Sequence, residues 1–187
     1  MPSADLPKFT VPSLTPEQGA KVAEILQQRL HSLNDLALTL KHIHWNVVGP
    51  HFIAVHEMLD PQVDSVRLMV DAIAERIATL GVSPVGTPGA LVAARGWDDY
   101  SLRRAGAIAH LGALDEVYQG VIADHRKAAD DTEELDLVTN DLLIGHLHDL
   151  EQFHWFVRAH LESSGGGLST EGAHTEHEAA HQADADS

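Results

Sequence analysis

The spacing of apolar residues constrains the fold of this chain more than any other feature. In two long segments, residues of one face recur at alternating intervals of four and three, the pattern of an α-helix with a single buried face. The first set is Leu26, Leu30, Leu33, Ala37, Leu40, His44 and Val47, and the second is Leu59, Val63, Val66, Val70, Ile73, Ile77 and Leu80. Gly49-Pro50 follows the first segment and Gly81 the second, so both helices are predicted to end there.

Prolines mark where these two helices begin. Pro16 stands at a plausible first helical position after Thr15, which predicts that the first helix begins near Thr15. Pro61 allows two interpretations. It is either an N-terminal helical residue after an Asp60 cap, or a kink inside a longer helix.

Two further helices follow a long connection. Residues 81–99 are predicted to form this connection, with a short helix from Thr87-Pro88 to about Arg95. A third helix is predicted from Asp99 to Ala129, and a fourth from the acidic stretch after it to about Ser163. Antiparallel neighbours need only a short loop, so the long connection indicates a crossover. The predicted fold is all-α: a ferritin-like four-helix bundle with a short extra helix between helices 2 and 3.

The chain is divided by composition into three parts. Residues 1–16 are rich in Pro, Ser and Thr and are predicted to form an extended N-terminal arm. Residues 17–163 form the bundle, and 187 residues suit a single domain. Residues 164–187 contain three consecutive glycines, acidic residues and histidines, so a flexible C-terminal tail is expected.

Charge and residue usage favour metal handling. The formal net charge is −16, there are 14 histidines, and cysteine is absent. The absence of cysteine excludes disulfides, iron–sulfur clusters and thiolate zinc sites, whereas carboxylates and imidazoles bind first-row divalent metals. No apolar run is long enough to span a membrane and no signal peptide is recognisable, so a cytoplasmic location is expected.

Two carboxylates on the second helix form one candidate site. Asp71 and Glu75 are four residues apart and share a helix face. The alternative is a solvated face on which Arg67 pairs with Asp71. For His44 and His56, spacing alone leaves open whether each is a metal ligand or a polar residue of the core or helix start.

A di-iron centre inside one bundle needs two Glu-x-x-His pairs on facing helices. Glu151 and His154 form one such pair, but Glu178 and His181 lie in the tail. Any metal site is therefore expected elsewhere, with an interface between subunits as one candidate place.

The stretch KHIHWNVVGPHFIAVHEMLD, followed by VDAIAERIATLG, resembles the Dps family of small ferritins. The family's ferroxidase ligands are a His, a His twelve residues later, an Asp fifteen later and a Glu four later. His44, His56, Asp71 and Glu75 keep every interval, and Trp45 follows the first His. The stretches WDDYS and FHWFVRAHLE also match. The resemblance covers about residues 20–163 and is greatest to actinobacterial members.

The resemblance implies a hollow homododecamer with 23 symmetry that oxidises Fe(II), preferably with hydrogen peroxide, and stores the ferric product, which protects against oxidative stress. His44 and His56 would come from one subunit, and Asp71 and Glu75 from its two-fold partner. Trp45 would trap stray oxidising equivalents or pack in the interface. Asp60 is a weaker candidate for an auxiliary metal contact. Zinc or manganese could occupy the same ligands.

Iron entry and DNA binding are the remaining expectations. In the family, acidic residues at the start of the fourth helix line three-fold pores, and Asp136 and Asp141 match best by position, with Asp131 and Glu134 close by; the alternative is a solvated acidic loop. No Lys or Arg follows Arg158, so DNA binding is predicted to be weak or absent, because phosphate neutralisation requires such cations.

Two other functions compete with the ferroxidase cage. One is a structural DNA-compacting nucleoid protein, and the other is a zinc- or manganese-binding cage without redox turnover. The tail histidines His174, His177 and His181 could bind a metal or confer pH sensitivity. The alternative is a solvated tail.

Overall fold

The computed structural model describes residues 6–163 and 165–185. Within them the helices are α1 (Pro16–Asn46), α2 (Phe52–Thr79), α3 (Pro88–Ala94), α4 (Ala107–Thr132), α5 (Leu137–Leu161) and α6 (Glu176–Ala185). Two short strands, β1 (Val47–Val48) and β2 (Ala105–Gly106), pair in parallel, with Val47 opposite Ala105. The predicted arm and tail extend beyond this region: residues 1–5, 164, 186 and 187 lie outside the described residues.

The first helix begins where the sequence predicts, because its N-terminus is capped. The Thr15 hydroxyl accepts a hydrogen bond from the Gln18 amide at 3.2 Å, and the Gln18 side chain accepts one from the Thr15 amide at 2.9 Å. This reciprocal pair satisfies two amides that the helix cannot. Pro16 occupies the first turn, where its missing N–H costs nothing.

The second helix runs through Pro61, which resolves the choice that the sequence left open. Phe52 begins α2, nine residues before the proline. A proline removes the hydrogen bond to the carbonyl four residues earlier. Here that carbonyl belongs to Glu57, and both residues are exposed, so water can satisfy the freed oxygen.

The long connection runs along α1, as predicted. The Gln27 side chain hydrogen-bonds both backbone groups of Val85 at 2.9 Å. Further along α1, Asp35 accepts a bond from the Trp97 indole at 2.7 Å. The connection therefore crosses from one end of the bundle to the other, and the prediction of an all-α, ferritin-like bundle with a short extra helix is confirmed.

The bundle core is mostly apolar. Leucine, isoleucine and valine side chains of α1, α2, α4 and α5 form one continuous buried cluster. Tyr118 is fully buried among them, and its hydroxyl donates to the Gln62 side chain at 2.7 Å. The predicted inward stripes of the first two helices are thus the core faces.

The predicted start of the third long helix is wrong. It was expected at Asp99, but α4 begins at Ala107. The preceding residues are held extended: the backbone of Ala105 and Gly106 pairs with β1, and the Leu102 carbonyl lies 2.8 Å from Nε2 of His42. Backbone groups used in this way cannot also form a helical turn.

The expectation of a flexible tail is wrong for residues 176–185. These residues form α6, which packs on α4 through the buried Ala179, Ala180 and Ala183. Small side chains let the two backbones approach closely. A Cβ atom added to Gly112 of α4 would lie only 2.5 Å from the Ala179 carbonyl oxygen. Alanine and glycine give a weak hydrophobic signal, so the sequence pattern does not reveal this contact.

Candidate metal centre

His44 and His56 face each other across the turn between α1 and α2. His44 lies in the last turn of α1 and His56 in the first turns of α2. Nδ1 of His44 is 2.9 Å from the His56 carbonyl oxygen, and Nδ1 of His56 is 2.9 Å from the His44 carbonyl oxygen. The rings stack with centroids 3.6 Å apart. The two residues, which we call the histidine pair, are thus fixed by reciprocal side-chain-to-backbone bonds.

These bonds determine which nitrogen can bind a metal. A carbonyl oxygen only accepts hydrogen bonds, so each Nδ1 must carry the proton. In a neutral imidazole the lone pair is then on Nε2. No hydrogen bond within the described residues engages Nε2 of either histidine. A backbone carbonyl behind an imidazole is the arrangement that orients metal-bound histidines, so the histidine pair presents two preset ligand atoms.

Asp60 is the carboxylate nearest the histidine pair. Its Oδ1 is 2.6 Å from Nζ of Lys41 and 3.2 Å from Nδ1 of His44. The hydrogen bond from Lys41 is the main reason why the pKa of Asp60 lies below its ordinary value, with smaller contributions from the two imidazoles. Asp60 therefore remains ionised beside the pair, on the protonated side of the His44 ring.

Asp71 and Glu75 are not brought to the histidines within one subunit. Both lie on α2 and are exposed. Fifteen helical residues separate His56 from Asp71, about 22 Å along the axis. One ion cannot contact both. Consistently, no cluster of three or more His, Asp or Glu side chains in residues 6–163 and 165–185 could hold a metal ion.

The alternative for the acidic pair, a solvated face with an Arg67–Asp71 ion pair, agrees with the structure only in its exposure. Within the described part of the chain, no ion pair joins Arg67 to Asp71. Asp71 and Glu75 thus form an exposed, unneutralised pair of like charges, and an isolated helix is destabilised by roughly 0.2–0.5 kcal/mol by such a pair.

Several large apolar side chains are exposed on α1, on α2 and next to the histidine pair. Trp45 follows His44 and is 72% exposed, and Leu68 on α2 is equally exposed. Leu38, Phe52 and Ile53 are exposed on the same two helices. Clusters of exposed apolar residues mark interaction surfaces. Of these residues, Leu68 lies between His56 and Asp71 along α2.

The two residues predicted to line a pore differ in their surroundings. Asp136 is only 9% exposed, and its carboxylate accepts bonds at 2.5 Å from Arg76 and from Thr139. Burial alone would raise the pKa of Asp136, but these bonds outweigh it and lower the pKa. Asp141, one turn into α5, is exposed. The pore role stays a prediction, and the geometry favours Asp141 for it.

A buried carboxylate that the sequence did not reveal joins α4, α5 and the tail. Asp115 accepts bonds from Nε2 of His154 at 2.6 Å and from the Thr170 hydroxyl at 2.8 Å. Glu151 pairs with Arg126. The Glu151-x-x-His154 motif is thus used in two separate structural contacts. A charged residue in a helical sequence pattern does not show which residue of another helix it will contact.

Comparison with known proteins defines the class first. A model of the ferritin-like domain matches residues 23–164, so this is a ferritin-like helical protein. The DNA protection during starvation protein of Mycolicibacterium smegmatis is 60% identical over 175 residues, which cover 94% of this chain and 96% of that protein. The chain therefore belongs to the Dps family, as its sequence resemblance implied.

Solved structures support the same assignment. DpsA14 from Streptomyces coelicolor is 65% identical, with a TM-score of 0.86, over 87% of this chain and 97% of that one. Mycobacterium smegmatis Dps is 60% identical, with a TM-score of 0.88, over 89% and 95%. No helix in the described residues is long and apolar enough to cross a membrane.

Proposed function

We propose that the protein is a ferroxidase and iron-storage cage. Ferrous iron is oxidised at sites shared by two subunits, and the ferric product is kept inside a hollow homododecamer with 23 symmetry. In each site His44 and His56 come from one subunit, and Asp71 and Glu75 from its two-fold partner. The assignment of these ligands rests on the Dps family pattern, which this chain keeps at every interval.

One observation carries the proposal: the reciprocal bonds of the histidine pair leave both Nε2 atoms free, while Asp71 and Glu75 lie about 22 and 28 Å from His56 along α2. Two α2 helices packed antiparallel would bring the pair of one subunit against the carboxylates of the other. Two imidazoles and two carboxylates suit Fe(II). The exposed apolar residues near Trp45 supply a surface for that contact.

The reaction balances with hydrogen peroxide as oxidant. Two ferrous ions each give up one electron, the O–O bond of one peroxide breaks, and two protons complete two water molecules. Using both electrons in one event avoids releasing hydroxyl radical. Trp45, next to His44, is placed to donate an electron to any stray oxidant, which would protect the protein from damage.

The charge of the protein supports cation uptake. A formal net charge of −16 draws ferrous ions toward the surface and disfavours DNA. We propose that exposed carboxylates at the start of α5, Asp141 above all, line the entry pore. DNA binding is weak at neutral pH, and the protein acts in the cytoplasm in the response to oxidative stress.

The test is anaerobic oxidation of Fe(II) by added peroxide, followed by size-exclusion chromatography with iron detection. The parent should oxidise iron rapidly, and ferric iron should co-elute with a particle near twelve subunits. His44→Ala combined with Asp71→Ala should slow oxidation at least tenfold and leave the particle intact, because neither side chain belongs to the apolar core cluster.

A matched control is His148→Ala with Asp130→Ala, which removes the same residue types from exposed positions. It should oxidise iron at the parent rate. If the parent only matches a protein-free control but binds Zn(II) or Mn(II) through His44, the site is a non-redox metal site and the ferroxidase proposal fails.

A further inference from the structure

An acidic cavity of about 520 Å³ lies on the other side of α1, remote from the histidine pair. Its walls come from α1, the crossover residues 97–101, α4 and the start of α6. Leu36, Val117 and Val121 supply an apolar floor. The rim carries the carboxylates Asp35, Asp98, Asp99, Glu116, Asp124 and Glu176, together with His174 and His177.

Only half of these carboxylates are neutralised by the fold. Arg95 pairs with Asp35 and Asp99, and Arg29 contacts Asp124 at 3.4 Å. For the other three, Asp98, Glu116 and Glu176, no Lys or Arg partner occurs within the described residues. Glu176 instead accepts a bond from the Ser101 amide at 2.8 Å.

Two of these three carboxylates, Glu116 and Glu176, are partly buried. Burial, followed by the charge of Asp115, raises the pKa of Glu116. Burial raises the pKa of Glu176 and outweighs the hydrogen bonds with Ser101, which lower it; the charges of Asp35 and Asp98 add smaller increases. A cation in the cavity would relieve this repulsion.

Two largely buried residues with hydroxyl groups, Ser32 and Thr39, also line the wall. Ser32 is 4% exposed and Thr39 is 8% exposed, and both line the cavity. Neither side chain forms a hydrogen bond to the described residues. Because both residues line the cavity, their hydroxyls are available to a ligand that donates or accepts hydrogen bonds there.

We propose that this cavity binds a linear aliphatic diamine or polyamine. Each ammonium group donates three hydrogen bonds. Its positive charge would neutralise Asp98, Glu116 and Glu176, which have no Lys or Arg partner. The methylene chain between them matches the apolar floor, and the Trp97 ring at the rim suits a cation. A metal ion fits less well, because no three ligating side chains converge in the described residues.

Isothermal titration of the assembled full-length protein with spermidine tests this. Glu116→Gln with Glu176→Gln should weaken spermidine binding at least tenfold, because it removes two unpaired carboxylates and conserves their shape. Glu17→Gln with Glu24→Gln is the matched control: it removes the same charge from exposed positions of α1 outside the cavity and should bind like the parent. Equal weakening in both variants would mean that spermidine only responds to net charge, and would overturn the proposal.

A steric variant provides an independent test. Gly120 lines the cavity on α4, and a Cβ atom there meets nothing within 4 Å. Gly120→Leu should therefore fold normally, fill the cavity and abolish tight binding without changing charge. Butylamine, which carries one ammonium, should bind at least tenfold more weakly than spermidine. Unchanged binding by Gly120→Leu, or full displacement of spermidine by equimolar Mg²⁺, would exclude a polyamine site here.

Discussion

Two regions of the molecule use histidines and carboxylates in opposite ways. In the histidine pair, backbone carbonyls hold Nδ1 and leave Nε2 free. In what we call the buried seam (Asp115, His125, His146 and His154, between α4 and α5), Nε2 of His154 is used by Asp115 at 2.6 Å. The same residue types thus leave a metal-binding nitrogen free at one place and form a structural contact at the other.

The difference shows that the identity of the engaged nitrogen decides the role. A backbone carbonyl fixes the imidazole without consuming its metal-binding atom, whereas a carboxylate that holds Nε2 consumes it. Burial strengthens the contrast, since Asp115 is 1% exposed and Asp71 is exposed. Burial alone would raise the pKa of Asp115, but the bonds from His154 and Thr170 lower it, so the seam carboxylate stays ionised inside the fold.

Removing His154 should break the seam and spare iron oxidation. His154→Ala leaves Asp115 buried without its main partner, and loss of one member of a buried pair lowers the free energy of unfolding by about 3–5 kcal/mol. Urea unfolding at fixed protomer concentration measures this. The control His148→Ala removes an exposed imidazole and should change stability by less than about 0.5 kcal/mol. A large loss of ferroxidase rate in His154→Ala, with stability kept, would remove the distinction between the two regions.

Acid should destabilise the seam selectively. Burial, with smaller effects of His146 and Arg29, lowers the pKa of His125 to about 3, and burial lowers the pKa of His146 to about 4. Because these folded-state values lie below the ordinary value of 6.5, the neutral-imidazole contribution is fully present above pH 6.5. It is lost as the pH falls toward the folded-state values.

At pH 4.5 each such imidazole destabilises the fold by roughly 2–3 kcal/mol. Unfolding measured from pH 7 to 4 should therefore show a steep acid limb. His125→Leu should flatten that limb, whereas His148→Leu, at an exposed position, should leave it unchanged. An acid limb that is identical in all three proteins would contradict the assignment of buried neutral imidazoles to the seam.

The smallest expected effect concerns the contact between the tail helix α6 and α4. Gly112→Ala places a methyl group 2.5 Å from the Ala179 carbonyl, so α6 must shift away from α4 at a cost of about 1–3 kcal/mol. Hydrogen exchange of residues 176–185 should become faster. Gly145→Ala is the control, since a Cβ atom there meets nothing within 4 Å, and it should stabilise α5 by about 0.5–1 kcal/mol. Equal protection of α6 in both variants would show that close packing on Gly112 does not hold the tail.

The sequence predicted the histidine region better than the seam. Helical periodicity and the Gly-Pro and Pro signals are local, so they predicted both ends of α1 and the crossover after α2. The interval from His44 to His56 is likewise local, because the turn between the helices is short. How Asp71 and Glu75 reach those histidines depends on a second subunit and stays a prediction.

Local sequence patterns could not predict contacts between residues that are distant in the sequence. Asp115 and His154 are 39 residues apart, and Thr170 is 55 residues from Asp115. The predicted start of α4 was wrong because β1, which lies far earlier in the chain, pairs with Ala105 and Gly106 as a strand. The sequence pattern did not predict the packed tail helix α6, because alanines bury little surface. Their packing also depends on a glycine of another helix.

The reciprocal bonds of the histidine pair also have an entropic consequence. Fixing a free side chain when a ligand binds loses rotamer freedom, but His44 and His56 have already lost theirs when the chain folds. An ion arriving at the two Nε2 atoms therefore orders little that is not ordered beforehand. The turn at Gly49, whose φ of 98° suits glycine, maintains this advantage. Loosening that turn would lower metal affinity without touching a single ligand atom.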